Sequence, residues 1–159
     1  MTAVETVVRV LESKVLRSSL IYIPDRGATD LEIAALSKHL PRPLSDAHRA
    51  LLQRWNGINL DVIRVYAASA QTELRSLRDT QAGPFADVKG ALVFGDDPSG
   101  FVYAEALTGQ VICFDSSSGD IKIIAAGLDA LFAKLVFGED AATFGGDEWV
   151  EELKRAGLI

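Results

Sequence analysis

The chain has 159 residues, of which 48% are apolar and 24% are charged, and its length suits one domain with a sizeable core. The net charge is −6, and no apolar run approaches the roughly 20 residues that a membrane-spanning helix needs. A single cysteine, Cys113, excludes an internal disulfide and, with only two histidines, a structural zinc site.

The charge is unevenly distributed along the chain. Residues 1–58 carry eight basic and six acidic side chains, whereas residues 59–159 carry eight basic and sixteen acidic ones, a net charge of −8. The acidic part argues against nucleic acid as a direct partner, because phosphates would be repelled, and favours a basic protein partner. An acidic surface that only confers solubility is an equally good interpretation.

The N-terminal segment predicts an amphipathic helix over about 3–18. Its valines and leucines recur at helical spacing, and charges interrupt them, so the segment lacks the apolar core of a secretory signal. We therefore expect a cytoplasmic protein with no membrane partner. The run 20–23 is β-prone and stops at Pro24, which favours an edge strand or an extended connection.

Two capped helices are predicted next. Thr29 and Glu32 form a capping-box pattern for a helix that runs to about His39. Ser45 caps a second helix, whose apolar stripe includes His48 and which ends at Asn56-Gly57. We expect Gly57 to take the left-handed position in a Schellman-type closure of that helix.

Residues 60–67 alternate in polarity and predict one strand, and residues 69–79 predict a short exposed helix or a long loop. Three apolar runs then lie between Leu92 and Asp115, separated by turns at 96–100 and 108–109. These turns are rich in Asp, Pro, Ser and Gly, so the spacing predicts a β-meander of antiparallel strands.

A further strand is predicted at 121–124 and a helix at 128–137. Gly145-Gly146 then breaks the chain, and a last helix is predicted over 147–156, closed by Gly157. Its acidic first turn and basic last turn suit the helix dipole. The order of elements predicts an α+β fold in which a single antiparallel sheet, the β-meander, is covered by helices.

No arrangement of residues predicts catalysis or a cofactor. Cys113 lies between apolar neighbours and is better explained as a buried small side chain than as a nucleophile. Asp96-Asp97 does not begin an EF-hand loop, because Leu107 occupies the twelfth position, where a calcium-binding glutamate belongs. The acids are better explained as turn formers, and we expect no catalytic residue, no metal and no cofactor.

Two segments carry a resemblance to a known family. The first is 44–52 followed by Trp55-Asn56-Gly57, and the second runs from Phe94-Gly95-Asp96-Asp97 through Ser99-Gly100 to Asp115. Together they resemble the SUKH superfamily, which includes fungal cell-wall-assembly regulators and many bacterial immunity proteins. Ser45 and His48 stand where that pattern usually has proline and an aromatic residue. The resemblance covers about 29–137 and leaves the helix at 3–18 outside it.

The resemblance implies a single SUKH-like domain over 1–159, with an extra N-terminal helix, that binds another protein without catalysis. It further implies an immunity protein that neutralises a toxin of a contact-dependent or polymorphic toxin system. A regulatory scaffold of the cell-wall-regulator type is the alternative from a second class, and an unrecognised small hydrolase is a third. The sequence does not predict the oligomeric state.

We expect the partner, a toxin domain with a basic surface, to meet the acidic meander, since complementary charge raises association rates. Aromatic anchors would supply affinity, and Tyr66, Phe101 and Tyr103 are candidates, although each is better explained as core. The candidate partner-binding residues of the meander and its turns are Asp96, Asp97, Ser99, Tyr103, Glu105, Asp115 and Asp120.

Overall fold

The computed structural model describes residues 1–81 and 83–159. Its helices are α1 (Ala3–Ser13), α2 (Asp30–Ser37), α3 (Asp46–Arg54), α4 (Leu128–Ala130), a π-helix (Leu131–Val136) that continues α4, and α5 (Ala141–Arg155). Short 3₁₀ turns occur at Ser18–Leu20 and Arg78–Thr80.

The strands form one antiparallel sheet whose spatial order follows the chain. They are β1 (Ile58–Asn59), β2 (Arg64–Val65), β3 (Leu92–Asp96), β4 (Val102–Glu105), β5 (Val111–Phe114) and β6 (Ile121–Ala125). The predicted α+β fold, a single meandering sheet with helices, is confirmed.

Helices cover one face of the sheet and an irregular segment covers the other. On the helical face, the Phe94 ring lies 5.9 Å from that of His48 in α3. On the opposite face, Phe85 packs edge-on against Phe114, with ring centroids 6.5 Å apart. One continuous core of buried apolar side chains extends from α1 to the end of α5.

The N-terminal helix is shorter than predicted. α1 begins with a capping box between Thr2 and Glu5 and ends at Ser13, because Lys14 adopts a left-handed φ of 58°. The following segment is extended rather than a strand. It touches the sheet through Tyr22, which exchanges backbone hydrogen bonds of 2.9 and 3.0 Å with Asn59.

The capping box at Thr29 and Glu32 is confirmed, as is the Ser45 cap of α3. The end of α3 is different from the prediction, because Trp55 is already extended and Gly57, with a φ of 76°, lies in the turn towards β1. No Schellman closure forms there. The Asn56 amide N–H instead donates to the Arg26 carbonyl at 3.1 Å.

Asn56 joins three parts of the fold through its buried side chain. Its Oδ1 accepts a hydrogen bond from the Ala68 amide at 2.8 Å, and its Nδ2 donates to Ser69 Oγ at 2.9 Å. Ser69 in turn donates to Glu32 at 2.8 Å. The residues that follow α3 therefore tie the second strand's exit to α2.

The prediction of one strand over 60–67 is wrong. Residues 58–65 form a tight hairpin in which Asp61 takes a left-handed φ of 64°, and Asn59 Oδ1 accepts a hydrogen bond from the Asp61 amide at 2.8 Å. Residues 69–77 form an irregular segment before the 3₁₀ turn at 78–80, which agrees with the loop alternative.

The C-terminal helices also differ in detail. The predicted helix at 128–137 is a short α-helical turn followed by the π-helix. α5 begins earlier than predicted and is kinked at Gly146, whose φ is 77°. Gly157 closes it in a Schellman arrangement, because its amide donates to the Lys154 carbonyl and that of Leu158 donates to Leu153, both at 3.0 Å.

Candidate protein-binding surface

Asp96 is buried at the end of β3 and is committed to intramolecular contacts. Arg64 Nε donates to its Oδ1 at 2.6 Å, and the Tyr66 hydroxyl donates to its Oδ2 at 2.9 Å. Burial raises the pKa of Tyr66, and the neighbouring Asp96 carboxylate raises it further. Asp96 therefore pairs β2 with β3 and leaves little of its carboxylate for a partner.

Asp97 is also buried, and it organises the β3–β4 turn. Its Oδ1 accepts the Ser99 amide at 2.9 Å and the Phe101 amide at 3.2 Å, and its Oδ2 accepts a hydrogen bond from the Tyr103 hydroxyl. Burial and then Asp97 raise the pKa of Tyr103. The turn-forming interpretation of Asp97 is therefore confirmed.

Glu105 lies in the core opposite His48, and both side chains are almost fully buried. His48 Nδ1 is 3.0 Å from Glu105 Oε1, within ion-pair distance, although no hydrogen bond of acceptable geometry joins the two atoms. Burial pushes the pKa of Glu105 upward, but His48, Ser45 and Arg42 together outweigh burial, so the pKa of Glu105 is lowered. Tyr103 and Glu105 thus lie inside the fold rather than on a contact surface.

Asp115 and Asp120 lie at the β5–β6 turn, and the carboxylate of each is accessible. Asp115 Oδ1 accepts hydrogen bonds from the Ser117 hydroxyl at 2.6 Å and the Ser117 amide at 2.9 Å, which lower its pKa. Ser99 is exposed at the β3–β4 turn. These three residues are the predicted contacts that a partner could reach directly.

Three of the predicted residues line one apolar cavity of about 440 Å³ between the sheet and the C-terminal helices. They are Asp97, Tyr103 and Asp115. The remaining wall is formed by Phe101, Cys113, Lys122, Ile123, Ile124, Leu135, Thr143 and Phe144. The structure does not bring Asp96, Ser99, Glu105 or Asp120 to this cavity wall.

The C-terminal helix carries a second acidic group that sequence reasoning assigned only to the helix dipole. Asp147, Glu148, Glu151 and Glu152 are all exposed. A second cavity, of about 360 Å³, is lined by Glu148, Glu152 and Phe144, and Phe144 also lines the first cavity. Glu148 and Glu152 therefore lie one side chain, that of Phe144, away from the meander cavity.

Cys113 is the one thiol that lines the first cavity. Burial, followed by the nearby Asp97, raises the pKa of Cys113 to about 11, away from a reactive thiolate. Over residues 1–81 and 83–159, no three His, Cys, Asp or Glu side chains converge as metal ligands. In the same residues, no helix is both long and apolar enough to cross a membrane.

The structure is a meandering antiparallel sheet with helices on one face, and an apolar cavity with acidic side chains nearby lies between the sheet and the C-terminal helices. The family model of the SMI1 / KNR4 family (SUKH-1) matches residues 27–134, and the chain belongs to this family. The predicted resemblance is thereby confirmed, and membership supports a protein-binding role in a family that is generally non-enzymatic. No curated protein matches the chain. α1 and α5 lie outside the matched residues.

Proposed function

We propose that the protein is an immunity protein that binds and neutralises a cognate toxin domain of a contact-dependent or polymorphic toxin system. The observation that carries this proposal is that two groups of accessible acidic side chains lie near one apolar cavity. The first group is Asp115, which lines the cavity, with Asp120 in the same turn, and the second is Glu148 and Glu152 of α5, which line the adjoining cavity. Family membership supports protein binding in general.

The two acidic groups and the cavity would have different tasks in such a complex. Exposed acids attract a basic toxin surface over a distance of about 8 Å at physiological salt and chiefly raise the association rate. The cavity beside Phe101 and Phe144 would receive an apolar side chain of the toxin and slow its dissociation. The proposal places this activity in the cytoplasm and requires no cofactor.

A toxin-inhibition assay tests the proposal, using candidate toxin domains from the genes that flank this one. We expect equimolar protein to abolish toxin activity, and we expect association to slow as salt increases. The variant Asp115→Asn/Asp120→Asn should associate more slowly, as should Glu148→Gln/Glu152→Gln. The matched control is Asp25→Asn/Asp87→Asn, which neutralises two exposed acids outside both groups and should behave like the unmodified protein.

A toxin domain that remains fully active with excess protein would overturn the immunity proposal. Capture of a cellular protein by the same surface, lost in the two acid-neutralised variants, would then support the regulatory scaffold. Inhibition that does not change with salt or with either variant would instead retain the immunity role and remove the acidic surface from it.

A further inference from the structure

The outer edge of β6 is unpaired. β6 is the last strand in the sheet, and within the residues that the structure describes no strand pairs with its outer side. The other edge of the sheet, β1, is covered, because Tyr22 forms two backbone hydrogen bonds with Asn59. An open edge presents a row of backbone donors and acceptors to which another strand can add.

The register identifies which backbone groups point outward. The Asp115 amide donates to the Asp120 carbonyl at 2.9 Å, so these two residues form a hydrogen-bonded pair. In an antiparallel ladder, hydrogen-bonded pairs alternate with pairs that are not hydrogen-bonded. The next hydrogen-bonded pair is therefore Cys113 and Lys122, and the backbone groups of Lys122 point inward to β5. The amides and carbonyls of Ile121 and Ile123 consequently face the open edge.

The same two residues expose their side chains. Ile121 is 40% exposed and Ile123 is 62% exposed, and Ile123 also borders the first cavity together with Lys122. Natural edge strands are usually protected by charge, proline or a covering segment. β6 has a single charged residue and no proline, and a bulge interrupts its register only beyond Ile123.

The charges along the edge specify a partner strand. An antiparallel strand would place side chains beside Ile121 and Ile123 on one face, and beside Asp120 and Lys122 on the other. Aliphatic residues complement the two isoleucines, an acidic residue complements Lys122 and a basic residue complements Asp120. From its N-terminus, the complementary segment therefore has the pattern aliphatic, acidic, aliphatic, basic.

A second copy of this chain fits the edge less well. The symmetric register that pairs Ile121 with Ile123 of the copy places Lys122 directly opposite the copy's own lysine. Like charges in that position destabilise a strand pair. The net charge of −6 on each copy adds a further repulsion.

We propose that β6 receives an extended segment of the partner protein, with this aliphatic, acidic, aliphatic, basic pattern, as a seventh antiparallel strand. The partner's identity rests on the proposed immunity function, whereas strand addition at β6 does not. Backbone hydrogen bonds to Ile121 and Ile123 supply affinity in this arrangement, and the alternate side chains supply specificity.

Hydrogen exchange of the complex with the neighbouring toxin domain tests this proposal. We expect toxin binding to slow exchange at the amides of Ile121 and Ile123. Ile123→Pro removes an outward amide while preserving the inward ladder, and it should weaken binding about tenfold or more. Ile123→Lys provides a second test if the proline variant does not fold. Its matched control is Leu107→Lys at the β4–β5 turn, where the side chain is 59% exposed, and it should bind normally.

A synthetic peptide keeps the test independent of the toxin. Acetyl-Thr-Val-Glu-Val-Lys-Thr-amide should shift the amide resonances of Ile121 and Ile123, and a peptide with its Glu and Lys exchanged should bind more weakly.

If the toxin binds but protects only α5, strand addition is wrong and the immunity function stands. If the toxin fails to bind, the immunity proposal is wrong. The peptide experiment then tests strand addition by itself, and a peptide that leaves the resonances of Ile121 and Ile123 unshifted would overturn it. Sedimentation showing a dimer that Ile123→Pro dissociates would assign the edge to a second copy and overturn the proposal.

Discussion

Glu105 is a nearly inaccessible carboxylate, and His48 is first among the neighbours that lower its pKa, followed by Ser45 and Arg42. His48 lies 3.0 Å away and lowers the pKa of Glu105 against the opposing effect of burial. We expect His48→Leu to destabilise the fold by about 3–5 kcal/mol, because it leaves a buried charge without its partner. Urea unfolding at pH 7 measures the loss. The double variant His48→Leu/Glu105→Leu should recover much of it, and a double variant as unstable as the single one would contradict this explanation.

The lowered pKa of Glu105 also makes stability depend on pH. A carboxyl whose folded pKa lies below its unfolded value of about 4.3 stabilises the fold above that value, and this contribution is lost as pH falls through the folded pKa. Unfolding free energies of the unmodified protein and Glu105→Gln, measured from pH 6 to pH 2, should therefore differ by a constant amount above pH 5. The unmodified protein should then lose more stability below it. Parallel curves throughout would exclude Glu105 as the titrating group.

The alkylation rate of Cys113 reports how strongly the cavity raises the pKa of its thiol. With its pKa raised to about 11, its alkylation by iodoacetamide should accelerate about tenfold per pH unit between pH 8 and pH 10, because the thiolate is the reacting species. The same protein unfolded in urea is the control, and its rate should level off near the ordinary thiol pKa of about 8.5. A folded protein that levels off at the same pH would contradict the raised pKa.

At the scale of elements, β2 and β3 approach each other so closely that Gly95 is required. A Cβ at Gly95 would overlap the carbonyl oxygen of Arg64, and the two strands would have to separate. We expect Gly95→Ala to cost about 3 kcal/mol, and more if the Arg64–Asp96 contact is also lost. Thermal unfolding measures the effect.

Gly109→Ala is the matched control for that substitution. Gly109 has a φ of 85° and open space around it, so alanine there meets backbone strain but no steric overlap. Its cost should be about 1 kcal/mol. Equal destabilisation by the two alanines would show that close strand approach is not what requires Gly95.

The sequence predicts an element correctly where the residues that determine it are neighbours in the chain. The Thr29–Glu32 capping box and the turns of the meander depend on neighbouring residues, and both are found in the structure. Residues 58–65 show the limit of such signals, because polarity alternates through both strands of the hairpin and through its turn. The decisive feature is the left-handed Asp61, which a short-range polarity pattern does not reveal.

The candidate site was predicted less completely, because the orientation of its acids depends on distant residues. Asp96 turns inward towards Arg64 and Tyr66, which precede it by about thirty positions. The sequence contains no local sign of that pairing. The acids of α5 were visible in the sequence but were explained by the helix dipole. Their nearness to the cavity follows from Phe144, which only the tertiary structure places between the two.

At the scale of the whole molecule, α1 is part of the core although it lies outside the residues that the family model matches. Val7 and Val10 are buried, so Val7→Ala/Val10→Ala should cost about 4 kcal/mol from lost burial and cavity formation. Denaturant unfolding measures the cost. Leu31→Ala, at an 82% exposed position, is the control and should change stability by less than about 0.5 kcal/mol. A double variant that unfolds like this control would show α1 to be dispensable.

The attachment of α1 has a consequence for the order in which the molecule assembles during synthesis. The Ala3 amide donates to Asp129 Oδ1 at 2.7 Å, and Arg9 donates to the carbonyls of Gly157 and Leu158. Each hairpin of the sheet can form as soon as its own residues leave the ribosome, because every strand pairs with the next one in the chain. α1 emerges before the sheet. It packs partly on α3, which follows soon after, but the rest of its binding site, on α4 and the π-helix, is translated after the sheet. Part of the apolar face of α1 therefore stays uncovered while the sheet is made, and this is the interval in which a nascent-chain chaperone would engage it.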